Sequence, residues 1–190
     1  MPQAIIVGGP NGAGKSTLAY EYVEVYGYTY LSADEIAARL RPDEPSAARI
    51  EAGKQFFVRL RDLIAEGRDF IVESTLAGEG FRRILDRLAR AGYTTHIAFV
   101  FLDSPALCIR RVAQRVQAGG HDVPTDDIVR RYTRSKANFW TIYRFQVDGW
   151  FLVYNAGEQF QEVATGSRGV FEVSDEDRFT LFLSDIDGAA

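Results

Sequence analysis

Short apolar runs alternate along this chain with longer segments in which apolar residues recur at every third or fourth position. The short runs predict five β-strands, over residues 4–7, 29–31, 70–72, 96–102 and 151–154. The longer segments predict helices over residues 16–26, 46–66, 81–91, 105–117 and 125–145. This alternation favours a parallel sheet with helices on both faces. We therefore expect a three-layer α/β/α fold built on a five-stranded parallel sheet.

The C-terminal region has a different pattern. Residues 162–165 and 170–173 are strand-like and are separated by a glycine-containing segment, which predicts a β-hairpin. Residues 174–183 then predict a short closing helix. No low-complexity segment or linker divides the chain. We expect a single domain over residues 1–190, with a C-terminal extension over about 158–190.

Composition narrows the class of protein. Among 190 residues, 46% are hydrophobic and 25% are charged, as in ordinary soluble domains. The formal net charge of −4 disfavours a general nucleic-acid binder. The single cysteine, Cys108, excludes an intrachain disulfide and lies in an apolar stretch, so we expect it in the core. No signal-like segment is seen, and no apolar run approaches the ~20 residues of a membrane span. We expect a soluble, cytoplasmic protein.

A phosphate-binding motif follows the first predicted strand. The pattern G-x-x-x-x-G-K-[ST], with a strand before it and a helix after it, is the P-loop or Walker A motif. Its glycines let the backbone wrap closely around phosphates, and its N–H groups form an anion cradle at the helix start. Lys15 is expected to reach the β- and γ-phosphates, and the Ser16 hydroxyl to ligate Mg²⁺. The predicted nucleotide-binding residues of the loop are Gly9, Pro10, Asn11, Gly12, Ala13, Gly14, Lys15, Ser16 and Thr17.

Polar residues follow the second and third predicted strands, where ligands collect in parallel α/β folds. Asp34 is a candidate general base for an acceptor hydroxyl, or a Mg²⁺ ligand through water, and its alternative role is to cap a helix. Glu73, followed by Thr75, is a candidate for the Mg²⁺ shell or for binding a substrate hydroxyl. Asp103, after the fourth strand, competes for the Mg²⁺ role, but it or Ser104 is better explained as a helix cap.

Arginines are concentrated on the helices that follow the fourth strand. Arg111 and Arg115 are four residues apart and share a helix face, and Arg131 and Arg134 are three apart and do likewise. A Gly-Gly segment joins the two helices. We therefore expect a mobile lid over about 111–135 that brings positive charge to a phosphate. The alternative is a solvated basic face paired with neighbouring aspartates.

Two further residues are candidate ligand contacts. His121, at the expected tip of the lid, is a candidate to hydrogen-bond a substrate, with an ordinary surface histidine as a nearly equal alternative. Asn155 follows the fifth strand, where the adenine edge of a nucleotide could meet the backbone. The Asn155 assignment depends on position alone.

Together these motifs resemble the zeta-toxin-like P-loop kinases, and more closely their short bacterial members. The resemblance covers about residues 3–157 and includes the P-loop, the acid at Asp34, Glu73-Ser-Thr-Leu, the Gly-Gly-His-x-Val-Pro segment and the following Ile-x-Arg-Arg-Tyr. It implies an adenylate-kinase-like fold that uses ATP and Mg²⁺. The segment that helps enclose the sugar nucleotide in zeta toxins has no clear counterpart in this chain, which leaves the acceptor open.

The resemblance also implies residue roles. Lys15 and Ser16 would hold phosphate and Mg²⁺, and Asp34 would be the base on the acceptor hydroxyl. The acceptor would be bound by Glu73 and Thr75. The residues implied to stabilise the transferring phosphoryl group are Arg115 and one of Arg130, Arg131 and Arg134. Arg131 is favoured among the three because it lies within the Arg-Arg-Tyr match, although the match does not separate it from Arg130.

The expected function is a phosphotransferase that moves the γ-phosphoryl group of ATP to a hydroxyl of a small molecule. Zeta toxins act on UDP-N-acetylglucosamine, so the resemblance suggests a nucleotide sugar as acceptor and an antitoxin protein as partner. The alternative is a nucleotide-binding switch or toxin component with incidental ATPase activity. A polynucleotide 5′-hydroxyl kinase is disfavoured by the acidic balance of the chain.

Overall fold

The computed structural model describes residues 1–120, 122–155 and 159–187. The strands are β1 (Gln3–Gly8), β2 (Thr29–Leu31), β3 (Phe70–Ser74), β4 (Thr94–Phe101), β5 (Gly149–Tyr154), β6 (Gln161–Ser167) and β7 (Val170–Val173). The α-helices are α1 (Lys15–Tyr26), α2 (Ala33–Leu40), α3 (Arg49–Ala65), α4 (Arg82–Arg90), α5 (Pro105–Gln117), α6 (Thr125–Thr141) and α7 (Glu176–Asp187). Short 3₁₀ helices cover Pro45–Ala48, Glu79–Phe81 and Tyr143–Phe145.

All the strands form one sheet in the order β2-β3-β1-β4-β5-β6-β7. The first five in this order pair in parallel, which confirms the predicted five-stranded parallel sheet. The predicted hairpin is also confirmed, and it extends the same sheet, because β6 pairs antiparallel with β5 and then with β7. Its turn residues Arg168 and Gly169 both have positive φ, as tight hairpin turns require.

Helices cover both faces of the sheet and bury two apolar clusters. One cluster joins the sheet to α3, α4, α6 and α7, and at its centre the rings of Phe99 and Phe139 stack 4.4 Å apart. Phe182 of α7 packs edge-on against both rings, so the C-terminal helix is part of this core. The other cluster lies under α1 and α5 and contains Cys108, which is fully buried, as the sequence predicts. The fold is therefore a three-layer P-loop α/β/α architecture.

The boundaries of several elements differ from those that the periodicity predicts. The helix predicted over 46–66 begins with a 3₁₀ turn and becomes α-helical at Arg49, and the one predicted over 125–145 ends at Thr141. The closing helix begins at Glu176 because the Asp175 side chain accepts a hydrogen bond from the Arg178 N–H and caps it. Within the described ranges, no helix is long and apolar enough to cross a membrane.

Candidate active site

The phosphate-binding loop connects the end of β1 to the start of α1. Gly9 and Gly12 have φ values of 134° and 78°, which favour glycine. A Cβ on Gly9 would lie 2.1 Å from the Val100 carbonyl oxygen, and one on Gly12 would lie 2.6 Å from that of Cys108. These glycines are therefore required because the loop packs closely against the backbone of β4 and α5. The sequence motif does not reveal this reason.

Lys15 is the first residue of α1 and lies at the bottom of the loop. Its Nζ donates a hydrogen bond to the Pro10 carbonyl oxygen at 2.9 Å, which holds the ammonium group across the loop. Burial lowers the pKa of Lys15, and the nearby carboxylates of Glu73 and Asp34 partly offset that effect. A desolvated cation with a displaceable backbone partner is well suited to bind an incoming phosphate.

Asp34 lies in the first turn of α2, a helix that the sequence suggests only through its start signal. The N-cap of this helix is Ser32, whose side chain accepts from the Glu35 N–H at 3.5 Å. The Asp34 carboxylate is therefore not needed as the cap. It is exposed to the cavity above the P-loop, where the helix N-terminus favours a negative charge.

Glu73 lies in the last part of β3 and Thr75 directly after this strand, beside the P-loop strand β1. The Tyr30 hydroxyl of β2 donates a hydrogen bond to the Glu73 carboxylate and fixes its direction. Burial, followed by the charge of Glu73, raises the pKa of Tyr30, so this phenol stays protonated as a donor. Sequence patterns give no signal for Tyr30, because its partner lies 43 residues away.

Three arginines line the cavity: Arg111, Arg115 and Arg131. Arg131 donates to the Asn11 side chain of the P-loop at 3.2 Å, so it bridges α6 and the loop. Asp127 pairs with Arg131 at 3.2 Å and with Arg130 at 2.7 Å. Both sequence interpretations thus apply to Arg131, which forms a salt bridge with a neighbouring aspartate and also faces the cavity.

The other two arginine candidates of the predicted lid are arranged differently. Arg130 and Arg134 are exposed and are not among the residues that line the cavity. Arg111, by contrast, lines the cavity. The sequence places it with Arg115 on one helix face of the predicted lid, but only Arg115 of this pair is assigned to the transferring phosphoryl group.

The Gly-Gly segment follows α5 and caps its C-terminal end. Gly119 has a φ of 86° and its N–H donates to the Val116 carbonyl at 2.9 Å, while the Gly120 N–H donates to the Arg115 carbonyl at 2.8 Å. This is a Schellman motif, which satisfies the last carbonyls of a helix. A Cβ on Gly120 would lie 2.5 Å from Cγ of Arg115, so Gly120 leaves room for the arginine side chain.

These groups surround a cavity of about 350 Å³ above the P-loop. The residues predicted from sequence that line it are Asn11, Gly12, Gly14, Lys15, Ser16, Thr17, Asp34, Glu73, Thr75, Arg115 and Arg131. The predicted residues that support it from outside are Gly9, Pro10, Ala13 and Asn155. His121 lies outside the described residues.

Asn155 supports the P-loop through its side chain. Its Nδ2 donates to the Ala13 carbonyl at 2.8 Å, and its backbone N–H donates to the Phe101 carbonyl at 3.1 Å. A contact between this residue and adenine stays a prediction. The other polar residues after β4 have structural roles, since Ser104 caps α5 and Asp103 accepts a hydrogen bond from Tyr154 at 2.7 Å.

The donor set of the cavity suits a magnesium ion. The Ser16 and Thr17 hydroxyls and the carboxylates of Asp34 and Glu73 are all hard oxygen ligands within one cavity. Within the described ranges, no group of three or more His, Cys, Asp or Glu residues could hold a metal alone. This composition fits an ion that is held mainly by phosphates and water, with one or two protein oxygens.

A P-loop opens into a cavity lined by arginines and carboxylates, within a three-layer α/β/α fold. These features place the chain in the class of P-loop α/β/α proteins. The chain belongs to the AAA domain family, which matches residues 5–137. An uncharacterized protein of Haemophilus influenzae is 28% identical over 130 residues, which are 68% of this chain and 92% of that protein. The uncharacterized protein Rv2004c of Mycobacterium tuberculosis is 28% identical over 158 residues, or 76% of this chain, which spans only 31% of that longer relative.

Solved structures with a similar fold include two from multi-protein systems. The AvrRxo1-ORF1:AvrRxo1-ORF2 crystal structure with sulphate ions has a TM-score of 0.76 at 16% identity, covering 97% of this chain and 64% of that chain. The PezAT toxin-antitoxin structure from Streptococcus pneumoniae has a TM-score of 0.65 at 16% identity, covering 99% of this chain and 87% of that chain. Shikimate kinase from Acinetobacter baumannii, in complex with shikimate, has a TM-score of 0.51 at 16% identity, covering 97% of this chain and 95% of that chain. These similarities establish the fold.

Proposed function

We propose that this protein is an ATP- and Mg²⁺-dependent kinase that transfers the γ-phosphoryl group to a hydroxyl of a small molecule. One observation supports this most strongly: a single cavity contains the P-loop with Lys15, the Asp34 carboxylate, and the side chains of Arg115 and Arg131. Phosphoryl transfer needs this combination, because catalysis consists mainly of positioning and of neutralising charge on the transferred group.

The reaction follows from the roles of these side chains. Lys15 leaves the Pro10 carbonyl and binds the β- and γ-phosphate oxygens of ATP. Asp34 accepts the proton of the acceptor hydroxyl, whose oxygen forms a bond to the γ-phosphorus. The bond between this phosphorus and the β–γ bridging oxygen breaks, and ADP leaves with the electron pair. Arg115 and Arg131, which line the same cavity, stabilise the charge on the transferring group.

Glu73 and Thr75 are proposed to bind the acceptor, with Tyr30 keeping the Glu73 carboxylate in position. The Ser16 hydroxyl is the proposed protein ligand of Mg²⁺, and Asp34, which lines the same cavity, is a proposed contact of its water shell. Bound Mg²⁺ would supply charge neutralisation on the phosphates. Arg111 is the proposed additional phosphate contact.

The test is transfer of label from [γ-³²P]ATP in the presence of Mg²⁺ and a small-molecule extract. We expect label to appear in a compound other than inorganic phosphate, and expect Lys15→Met to abolish this product. The incidental-ATPase alternative predicts labelled phosphate only. The kinase proposal is refuted if the protein binds ATP and yet no small molecule acquires label.

Finer assignments come from the zeta-toxin resemblance and from the fold shared with PezAT. They suggest UDP-N-acetylglucosamine as an acceptor and an antitoxin as a partner of this chain. UDP-N-acetylglucosamine is tested directly by offering it as the sole acceptor with labelled ATP. A partner is tested by co-elution with candidate antitoxins in the presence and absence of ATP, where an unshifted profile would count against it.

A further inference from the structure

A second, larger cavity opens directly beside the P-loop cavity. It has a volume of about 650 Å³, against about 350 Å³ for the cavity over the P-loop. The two share a short boundary formed by Ala33 and by Glu73, Ser74 and Thr75 at the end of β3. A molecule in the second cavity would therefore present its nearest group to the phosphate side at Glu73 and Thr75.

The walls of the second cavity are mostly apolar. Phe56 and Leu60 of α3 form one side, and Phe81 and Ile84 form the other. Leu76 completes the wall between them and is 1% exposed. A volume within about 300–1,000 Å³ and an apolar lining with few polar groups are typical of small-molecule sites. The walls fit an apolar body better than a sugar.

The wall beside β3 is held in a strained and anchored conformation. Leu76 has a φ of 54°, which is uncommon for a residue other than glycine, and such strained conformations cluster at active sites and ligand clamps. Its carbonyl accepts from Nδ2 of Asn138 at 2.9 Å, and the carbonyl of Gly78 accepts from the Tyr143 hydroxyl. The helix that carries Arg131 therefore also fixes the wall of the second cavity.

Positive charge lies at one part of this cavity only. Arg83 and Arg87 of α4 line the second cavity but not the P-loop cavity, and they are four residues apart on one helix face. Among the described residues, neither forms an ion pair, whereas the adjacent Arg82 pairs with Glu79 at 3.2 Å. The acid that lines the second cavity, Glu73, lies at the boundary with the P-loop cavity. The two guanidinium groups are available for an anion.

We infer that the second cavity holds the phosphoryl acceptor, and that this acceptor is an amphipathic anion rather than the nucleotide sugar that the zeta-toxin resemblance suggests. Its hydroxyl would face Glu73 and Thr75, its apolar body would contact Phe56 and Phe81, and its carboxylate or phosphate would pair with the arginines of α4. The inference depends on the proposed kinase function for the direction of the hydroxyl. The cavity and its charge can be tested without turnover.

The experiment measures calorimetric binding of chain-matched probes in the presence of Mg²⁺ and a non-hydrolysable ATP analogue. The probes are 8-hydroxyoctanoate, the phosphate monoester of 1,8-octanediol and the uncharged 8-hydroxyoctanamide. We expect at least one of the two anions to bind tenfold or more tightly than the amide. The double variant R83E/R87E should abolish this preference while the affinity for the ATP analogue stays unchanged. The better of the two anions identifies the charged group that the site prefers.

A second pair of variants tests whether the probes bind in this cavity. Gly53 of α3 lines the cavity, and a Cβ at this position meets no atom within 4 Å. Gly53→Leu should fill the space and weaken all three probes at least tenfold, while Gly53→Ala should leave them within about twofold. Both changes favour helix formation over glycine, so misfolding is not the expected cause of a loss.

The possible results separate the two proposals. Equal affinity of anions and amide, an unaffected R83E/R87E protein, or tighter binding of UDP-N-acetylglucosamine than of either anion would overturn the inference. Absence of binding by every probe would overturn it as well. If an anion binds as expected but acquires no label from [γ-³²P]ATP, and no molecule in the extract does, the kinase proposal fails while the charge and location of the site stand.

Discussion

Lys136 and Asp185 give a prediction that can be worked out from the structure. Lys136 of α6 is fully buried and forms an ion pair with Asp185 of α7. Its Nζ lies 5.0 Å from the centre of the Tyr132 ring and 5.1 Å from that of Phe182. The Tyr132 hydroxyl also donates to Asp185 at 2.9 Å. The pair therefore connects the C-terminal helix to the helix that carries Arg131.

Asp185→Asn would leave a buried ammonium group without its countercharge. Breaking a fully buried pair costs roughly 3–5 kcal/mol. Because the Asp185 side chain is 34% exposed, we expect Asp185→Asn to lower the free energy of unfolding by about 2 kcal/mol. For a chain of this length, that corresponds to a fall in Tm of about 4–8 °C. The matched control is Lys136→Met, which removes the charge and keeps the apolar stem, and which we expect to cost less than about 1 kcal/mol.

The pH dependence follows from the pKa of Lys136, which burial lowers below 10.5 despite the opposing effect of Asp185. Between the folded and the unfolded pKa, the unfolded chain holds more protons, so this group makes stability rise with pH. Asp185→Asn lowers the folded pKa further and should make the rise larger. Urea unfolding at pH 7 to 10 measures both effects. The reasoning is refuted if the free energy of unfolding of Asp185→Asn stays within about 0.5 kcal/mol of wild type. It is also refuted if Lys136→Met lowers this free energy as much as Asp185→Asn does.

Three further predictions concern the candidate site and its surroundings. Gly120→Ala should lower kcat about tenfold or more with little change in ATP affinity, because the added Cβ displaces the Arg115 side chain. An unchanged kcat would show that the close approach of Arg115 to Gly120 is unimportant for catalysis. ATP affinity should fall as pH rises towards 10, because the lowered pKa of Lys15 removes its charge earlier than in a free lysine; calorimetry on wild type and Lys15→Met distinguishes this from a general alkaline loss. Cys108, whose pKa burial raises to about 11, should resist a thiol reagent at pH 8 until urea unfolds the chain; rapid modification of the native protein would contradict its burial.

The sequence predicts those parts of the fold and site that depend on local patterns. Five parallel strands follow from the alternation of apolar runs. The cavity contains Lys15, Asp34 and Glu73 because each lies at or after the C-terminal end of a strand, at the same edge of the sheet. A motif also carries its own geometry, so the turn of the P-loop between β1 and α1 is predictable from its glycines and Lys15. The role of each arginine is less predictable. The three neighbouring candidates on α6 differ only in the direction in which each side chain leaves the helix.

The remaining features depend on contacts between residues far apart in the chain. Tyr30 meets Glu73 only because β2 pairs with β3, and Lys136 meets Asp185 only because α7 packs on α6. The second cavity combines residues of α3, α4 and the segment after β3, which have no common spacing. Helix α2 is eight residues long, too short for its periodicity to be read with certainty.

The central claim is that Asp34 acts on an acceptor hydroxyl in a phosphoryl-transfer cavity. The most direct measurement is the rate of label transfer from [γ-³²P]ATP by Asp34→Asn, together with its ATP dissociation constant. Glu35→Gln, one position further along the same helix, is the matched control. We predict that Asp34→Asn loses about 100-fold or more in transfer while its ATP dissociation constant stays within about tenfold, and that Glu35→Gln retains both. Equal transfer by Asp34→Asn and wild type, or loss of ATP binding in step with transfer, would contradict the claim.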